Sequence, residues 1–205
     1  MYFPDHPAEP RRAAAAILLR PAPGGGHEVL LGRRNRSLGF MGGHHVFPGG
    51  SLDKDDQPER VAGAPDEDLA GALYAAVREV FEEAGLLCTR GTPPPEEARR
   101  AGRHQLLAGE ASFHSLLDAW AQTIHAEDFT PAGTWVTPPF SPVRFLTRYF
   151  IYHHTTEAAG EVFEEDGEIV GLDWLHPAEA RRRWQAGEIR LSTPIAFVLR
   201  HLAHH

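Results

Sequence analysis

The sequence predicts an α/β fold: a mixed β-sheet sandwiched between α-helices, with a helical insertion. Three observations carry this. Short apolar or β-branched runs occur early, at Ala13–Arg20, Glu28–Arg34 and Val46–Gly50, and again late, at Val143–His153 and Glu168–Leu175. One strong helical period lies between the two blocks, over about Asp68–Leu87. Further amphipathic stretches occupy 96–125 and the chain from Pro177 onward. Strand blocks separated by helices bury their apolar faces by layering the helices on a sheet.

Each element has a local reason. Ala13–Arg20 is apolar but closed by Pro21 and Pro23, and reads as a buried strand. Pro21–His27 is a glycine-rich hairpin-like loop, and Glu28–Arg34 is the next strand. Asn35–His44 is a second Gly-rich loop, leading into Val46-Phe47-Pro48-Gly49-Gly50, a strand ending in a tight turn. Ser51–Asp68 is polar and expected to be an exposed loop. Leu69, Leu73, Val77, Val80, Ala84 and Leu87 then recur at steps of three and four, the stripe of a core-facing helix. Asp66 or Asp68 can cap its start, and Gly85 sits where it should end. Thr92–Pro95 is a rigid break. Glu96–His125 reads as one or two helices, with Phe113, Leu116, Leu117 and Trp120 on an apolar face. Phe129–Pro139 is expected to be a loop carrying Trp135, followed by the aromatic, β-branched strand Val143–His153. Thr155–Gly167 is expected to be an acidic loop, Glu168–Leu175 a strand, and Pro177–Ala186 and Thr193–Leu202 helices. Residues 1–205 form one domain on this reading.

Composition narrows the function. The 205 residues are 42% hydrophobic and 23% charged, which excludes disorder as the main state. Twenty basic against 28 acidic residues leave a net charge of −8. No nucleic-acid partner is expected, because neutralising phosphates along a duplex needs a basic surface. A phosphorylated small molecule remains open, since a bound divalent cation reverses the local field. The single cysteine, Cys88, excludes an internal disulfide framework and any multi-cysteine metal site. No apolar run approaches the ~18 residues of a membrane span, and MYFPDHPAEPRR lacks the layout of a secretory signal. A cytoplasmic location without a membrane partner is the expectation.

The segment with chemistry is Arg78–Leu86, REVFEEAGL. Glu79, Glu82 and Glu83 stand at i, i+3 and i+4, on one helical face roughly 120° from the apolar stripe. Ala72, Ala75 and Ala76 keep the neighbouring surface low. Three carboxylates so close repel one another, and a hard cation such as Mg2+ or Mn2+ would relieve that repulsion. A solvated acidic face is the bland alternative for the triplet alone.

With Gly49-Gly50 upstream, this segment resembles the signature of the Nudix hydrolase family, G-x5-E-x7-R-E-U-x-E-E-x-G-U, where U is a bulky aliphatic residue. Arg78 through Leu86 matches its second half at every specified position. The first half departs. Five residues after Gly50 comes Asp56 rather than Glu, and 21 residues rather than seven separate it from Arg78. The box therefore spans about 50–86 with an inserted loop at about 57–70, and a helical insertion follows at about 96–125. In the family the missing glutamate helps to anchor the arginine; Asp56 either reaches back to Arg78 or that role is lost. Gly49 to Asp56 is similar to the G-G-x-x-D-x-x-D opening of the coenzyme A diphosphatase branch. Arg36–Gly50, Trp135–Pro138 and Arg144–Phe150 resemble stretches of its acyl-CoA-cleaving members, with Leu146 where that pattern has Asp.

The resemblance implies a Nudix fold and a pyrophosphohydrolase acting on a small-molecule nucleotide. The substrate would be coenzyme A or acyl-CoA, cleaved to 3′,5′-ADP and (acyl-)4′-phosphopantetheine. It implies a Mg2+ or Mn2+ cofactor held by Glu82 and Glu83, with Glu79 as ligand or general base, the Gly50 carbonyl as a further ligand, and Arg78 orienting the glutamates. The late loop, with Glu161, Glu164, Glu165, Asp166 and Glu168, offers other bases. Arg33, Arg34 and Arg36 are candidate contacts for a ribose phosphate. Trp135 is one for adenine, and His45 and Arg144 complete the substrate set. The Phe113/Leu116/Leu117/Trp120 face is expected to be a lid or subdomain core, with an acyl-chain wall as the sharper reading. The rivals are the same chemistry on ADP-ribose, NADH or dinucleoside polyphosphates, and a non-catalytic nucleotide sensor. The adjacent histidines His44-His45 and His153-His154 point to opposite strand faces and argue against a shared zinc, and His201, His204 and His205 sit at a chain end.

Overall fold

The computed structural model describes residues 8–155 and 167–203. Ten strands are present: β1 (Arg11–Pro21), β2 (His27–Arg34), β3 (His44–Val46), β4 (Gly49–Ser51), β5 (Val61–Ala62), β6 (Ile124–His125), β7 (Phe129–Val136), β8 (Phe145–His153), β9 (Ile169–Leu175) and β10 (Arg190–Leu191). The helices are α1 (Glu67–Ala84), α2 (Glu96–Leu107), α3 (Phe113–Ala119), α4 (Pro177–Gln185) and α5 (Thr193–Leu202).

Strand β1 is the axis of the fold. Most of it pairs in parallel with β8, from Arg11–Phe145 to Leu19–His153. On its other side it changes partner. Leu19, Arg20 and Pro21 pair with β2, whereas Ala13, Ala14 and Ala15 pair with β4. β2 meanwhile pairs with β9 and, at Gly32 and Arg33, with β3. The sheet therefore forks between β1 and β2, and β4 lies in the fork.

Both faces of β1 are covered, which is why its sequence is continuously apolar rather than alternating. Ala14, Ala16 and Leu18 face α1 and the insertion, in one core with Val77, Val80, Phe81 and Phe113. Ala15, Ile17 and Leu19 face α4 and α5, in a second core with Val29, Leu31, Leu175, Ile195 and Leu199. The layers are helix, sheet, helix, the α/β sandwich that the sequence predicts. Asp66 caps α1 by accepting from the Leu69 amide at 2.7 Å, and Gly85 ends it with φ +66°.

Two expectations change. Phe129–Pro139 is not a loop: most of it is β7, the sheet edge beside β8, with a register shift between Pro131 and Gly133. Proline and a bulge are tolerated on an edge strand, and its exposure on both faces removes the alternation that would reveal it. Ser51–Asp68 is not wholly loop, because β5 pairs with β6 beyond the insertion. The subdomain-core reading of the Phe113, Leu116 and Leu117 face holds: Phe113 packs on Tyr74 and Phe81, and Trp120 meets Phe81 edge-on at 5.7 Å. Cys88 is buried, which pushes its thiol pKa up. Among the described residues no helix is long and apolar enough to cross a membrane.

Two stability predictions follow from this packing. A Cβ at Gly49 would lie 2.5 Å from the Ala15 Cα, against backbone that cannot yield. Gly49→Ala is expected to cost about 2 kcal/mol or more in urea unfolding. His154 is 4% exposed, stacks on Trp174 at 5.6 Å, and shares that ring with the Arg20 guanidinium. Burial, with Arg20, holds its pKa down to about 4. The folded state therefore prefers the neutral ring. The His154 contribution is complete above pH ~6.5 and is lost as pH falls from there to about 4, by up to roughly 3 kcal/mol. His154→Phe is expected to flatten the wild-type fall in stability across that window, read as the difference between the two denaturation profiles.

Candidate active site

The carboxylates of Glu79, Glu82 and Glu83 on α1 are largely withdrawn from solvent. Ala70 to Val77, Val80, Phe81 and Ala84 of this helix are buried, so only a narrow face remains for polar groups. Ala72, Ala75 and Ala76 do not leave open surface; they join Ala14 and Ala16 of β1 in one core. That close approach brings Gly49 and Gly50 of β4 down onto the glutamates. The Gly49 amide donates to Glu83 Oε2 at 3.0 Å. The Glu79 carboxylate lies against Gly50, where its Cδ would be 2.5 Å from any Cβ. A Cβ there would push the Glu79 carboxylate out of this position.

Arg78 is the hub. Its Nε donates to Asp56 Oδ1 at 2.7 Å and its Nη2 to Asp56 Oδ2 at 3.3 Å. Nη2 also donates to the Ser51 carbonyl at 3.0 Å. Nη1 donates to Glu79 Oε1 at 2.9 Å and to Glu82 Oε2 at 3.2 Å. Asp56 is itself fixed, with Oδ2 accepting from the Asp53 amide at 2.7 Å while Asp53 Oδ1 accepts from the Asp55 amide at 2.9 Å. The two aspartates of the G-G-x-x-D-x-x-D stretch thus build a turn that aims one carboxylate at Arg78. The 14 extra residues loop out beyond it, through a 3-10 turn at Pro58–Arg60 and β5.

The electrostatics follow from burial. Desolvation raises the Glu79 pKa to about 7, opposed by Arg78. Desolvation, then the Glu79 charge, raises Glu83 to about 8 despite the Gly49 hydrogen bond. Desolvation also raises Glu82. Burial alone would lower the Arg78 pKa, but the bond to Asp56 and the charges of Glu79 and Glu82 outweigh it and raise it. The site is a pocket of carboxylates short of positive charge.

These groups form the floor of a cavity of about 820 Å3 in the sheet fork. Glu79, Glu82, Glu83, Gly49, Gly50, Arg34 and Glu168 line its polar end. Arg34 pairs with Glu168 at 3.2 Å. Phe40, Met41, Leu107, Trp135, Pro138 and Phe145 form one apolar wall, with Phe40 and Phe145 in ring contact at 5.4 Å. Val46, Phe47, Tyr149, Pro194 and Ile195 form another.

The chain aligns with known proteins over nearly its whole length. A Caenorhabditis elegans protein named "Putative nudix hydrolase 7" is 31% identical over 94% of this chain, which spans 60% of that relative's length. The human "Acyl-coenzyme A diphosphatase NUDT19" is 28% identical over 97% of this chain and 70% of its own. The crystal structure of a Nudix hydrolase from Alicyclobacillus acidocaldarius superposes with a TM-score of 0.82 at 28% identity, covering 96% of this chain and 92% of that one. No protein-family model matches the chain. This is a Nudix-fold protein. The Nudix box is the Gly49–Leu86 unit just described, and its divergent first half explains how a chain can have the Nudix architecture with an atypical opening signature.

Of the candidate site residues, the structure brings Glu79, Glu82, Glu83, Gly50, Arg34 and Trp135 to the Nudix cavity, with Arg78 beneath its floor. Arg33, Arg36, His45 and Arg144 do not line it. Arg33 and Arg34 are adjacent on β2, so only one of them faces inward; Arg33 points toward Gly171. Arg36 lies along Gly43. His45 is 7% exposed, feels Asp173, Arg33 and Arg183, and is held below its ordinary pKa chiefly by burial. Arg144 donates to the carbonyls of Thr137 and Ala8 and ties down the β7–β8 connection. Glu161, Glu164, Glu165, Asp166, His204 and His205 lie outside the described residues; Glu168 is the described member of the acidic loop at the cavity. Phe40, Leu107, Tyr149 and Arg103 also line the cavity. Phe40 and Tyr149 fall in stretches with the family resemblance but are not singled out by it, and Leu107 and Arg103 carry no sequence signal, because helix packing decides their positions.

The donor chemistry fits a hard divalent cation, since burial leaves Glu79, Glu82 and Glu83 in need of positive charge beside an open cavity. Among the described residues, however, no three acidic, histidine or cysteine side chains are already gathered as a metal site. Arg78 draws Glu79 and Glu82 to one side, and Gly49 holds Glu83 at another.

Removing the anchor tests this geometry. Asp56 and Arg78 are both nearly excluded from solvent. Asp56→Ala is expected to cost about 3 kcal/mol, the scale of a broken buried pair, with Asp56→Glu recovering part of it in the same urea titration.

Proposed function

We propose that the chain is a divalent-metal-dependent pyrophosphohydrolase that cleaves coenzyme A or acyl-CoA to 3′,5′-ADP and (acyl-)4′-phosphopantetheine. The observation that carries the reaction class is the polar floor itself: three glutamates of one helix, held by Arg78–Asp56 and Gly49, at the closed end of a large cavity. The named activity of the human relative supports the substrate.

Glu79, Glu82 and Glu83, with the Gly50 carbonyl, would hold Mg2+ or Mn2+. Bound there, the metal supplies Lewis acidity toward the diphosphate and its attacking water. The protein does the rest. The cavity excludes bulk water around the diphosphate, and Arg34 offers it a cation. Trp135 and Tyr149 present flat surfaces to a base. Phe40, Met41, Leu107 and Phe145 continue as an apolar wall suited to an acyl chain. Glu168 accepts the proton of the water as it adds to phosphorus and the P–O–P bridge breaks; Glu79 is the alternative acceptor. One phosphate leaves on each product, and no oxidant or further reactant is consumed.

The decisive assay presents coenzyme A, a fatty acyl-CoA, ADP-ribose and NADH side by side with Mg2+ or Mn2+, with products read by mass. Release of 3′,5′-ADP from the CoA compounds alone is expected. Turnover of ADP-ribose or NADH instead would overturn the substrate, and no turnover of any would overturn the activity. Glu83→Gln is expected to lower kcat by on the order of 10²-fold or more. Its metal-free melting temperature should hold or rise, because a buried carboxylate is replaced by a neutral amide.

A further inference from the structure

The helical insertion reaches the glutamate helix at the polar floor through Arg103. Helix α1 ends at Ala84, and the Gly85 amide bonds back to the Phe81 carbonyl. The carbonyls of Glu82 and Glu83 therefore lie among the last-turn acceptors that a helix leaves without intrahelical partners. Arg103 of α2 supplies donors to both, from Nε to the Glu82 carbonyl at 2.8 Å and from Nη2 to the Glu83 carbonyl at 3.3 Å. The residue is 4% exposed and lines the cavity. A cation at a helix C-terminus also meets the negative end of the backbone dipoles.

The packing that delivers Arg103 is tight. A Cβ on the preceding residue, Gly102, would lie 2.5 Å from the Trp120 ring. Trp120 in turn abuts Phe81 on α1. The insertion is locked to the glutamate helix through Gly102, Trp120 and Phe81, and Arg103 is its polar contact with the residues that carry the carboxylates.

We propose that Arg103 is a positioning residue: it fixes the backbone of Glu82 and Glu83 so that their carboxylates are presented together to a divalent cation. The proposal rests on the metal-dependent reading above and adds a reason for the insertion, which joins the floor of the site to its roof. An arginine suits this place because two nitrogens of one planar group reach two successive carbonyls, which a lysine ammonium does not match.

The test measures Mn2+ binding to the purified protein by electron paramagnetic resonance, without substrate, beside kcat, KM and melting temperature. Arg103→Met is expected to weaken Mn2+ binding by about 10-fold or more, the scale of losing a group that orients a metal ligand. It should lower kcat while leaving KM within a few-fold, and Arg103→Lys should recover part of both. Trp120→Leu is the control, since it loosens the same packing without removing the carbonyl contacts; it should lower the melting temperature while weakening Mn2+ binding far less than Arg103→Met does. Wild-type Mn2+ affinity in Arg103→Met, or an equal loss in Trp120→Leu, would overturn the positioning role while leaving the hydrolase reading intact. Failure of the wild-type protein to bind Mn2+ would overturn both.

Discussion

Everything at the site depends on confining negative charge. Glu79, Glu82, Glu83 and Asp56 lie within one small, poorly solvated volume, and α1 is buried on most of its circumference. In water such a cluster would be held apart by hydration; here Arg78 and the Gly49 amide, with Arg34 nearby, oppose the repulsion. Arg78 spends all three of its nitrogens on this task, bridging the helix, the β4 strand and the turn at Asp53–Asp56. The pKa values of Glu79 and Glu83, pushed up to about 7 and about 8, record how incomplete the compensation is. A site balanced this way has a built-in demand for further positive charge, which couples the stability of the fold to the chemistry at its centre.

The fork in the sheet converts that charge cluster into a site. β1 keeps one partner, β8, from Arg11 to Leu19, but exchanges β2 for β4 along its other edge. The exchange works because Ala13–Ala16 and Gly49–Gly50 carry almost no side-chain volume. Backbone can then approach both the sheet and α1, and the cavity opens where β2 has moved away. Small residues on β1 are thus a geometric requirement of the site as well as core packing. The same economy explains why Gly50 lies directly on the Glu79 carboxylate.

The roof comes from segments far apart in the chain: Phe40 and Met41, Leu107 of α2, and Trp135, Pro138 and Phe145 of the β7–β8 pair. Among the described residues, Phe40 and Leu107 are also among the few large hydrophobic side chains left exposed. The floor is built by one helix and its adjoining strand and turn, whereas the roof is assembled from distant segments. On the proposed function, chemistry at the diphosphate and selection of the attached group fall to separate parts of the fold, which α2 joins through Arg103 and Leu107.

The sequence by itself determined what depends on short-range order. The α1 period, its Asp66 cap and Gly85 stop, the double-sided burial of β1, and the adjacency of Glu79, Glu82 and Glu83 are all written in spacings of a few residues. Tertiary structure decided the rest. Whether Asp56 could serve as the arginine's anchor across 21 residues depended on a loop path, and Arg34 rather than Arg33 or Arg36 faces the cavity because of the pleat of β2. β7 was hidden because an edge strand with Pro131 and Gly133 has no apolar alternation to read. Arg103 gave no signal, because its partners are backbone carbonyls, and backbone groups look the same at every residue.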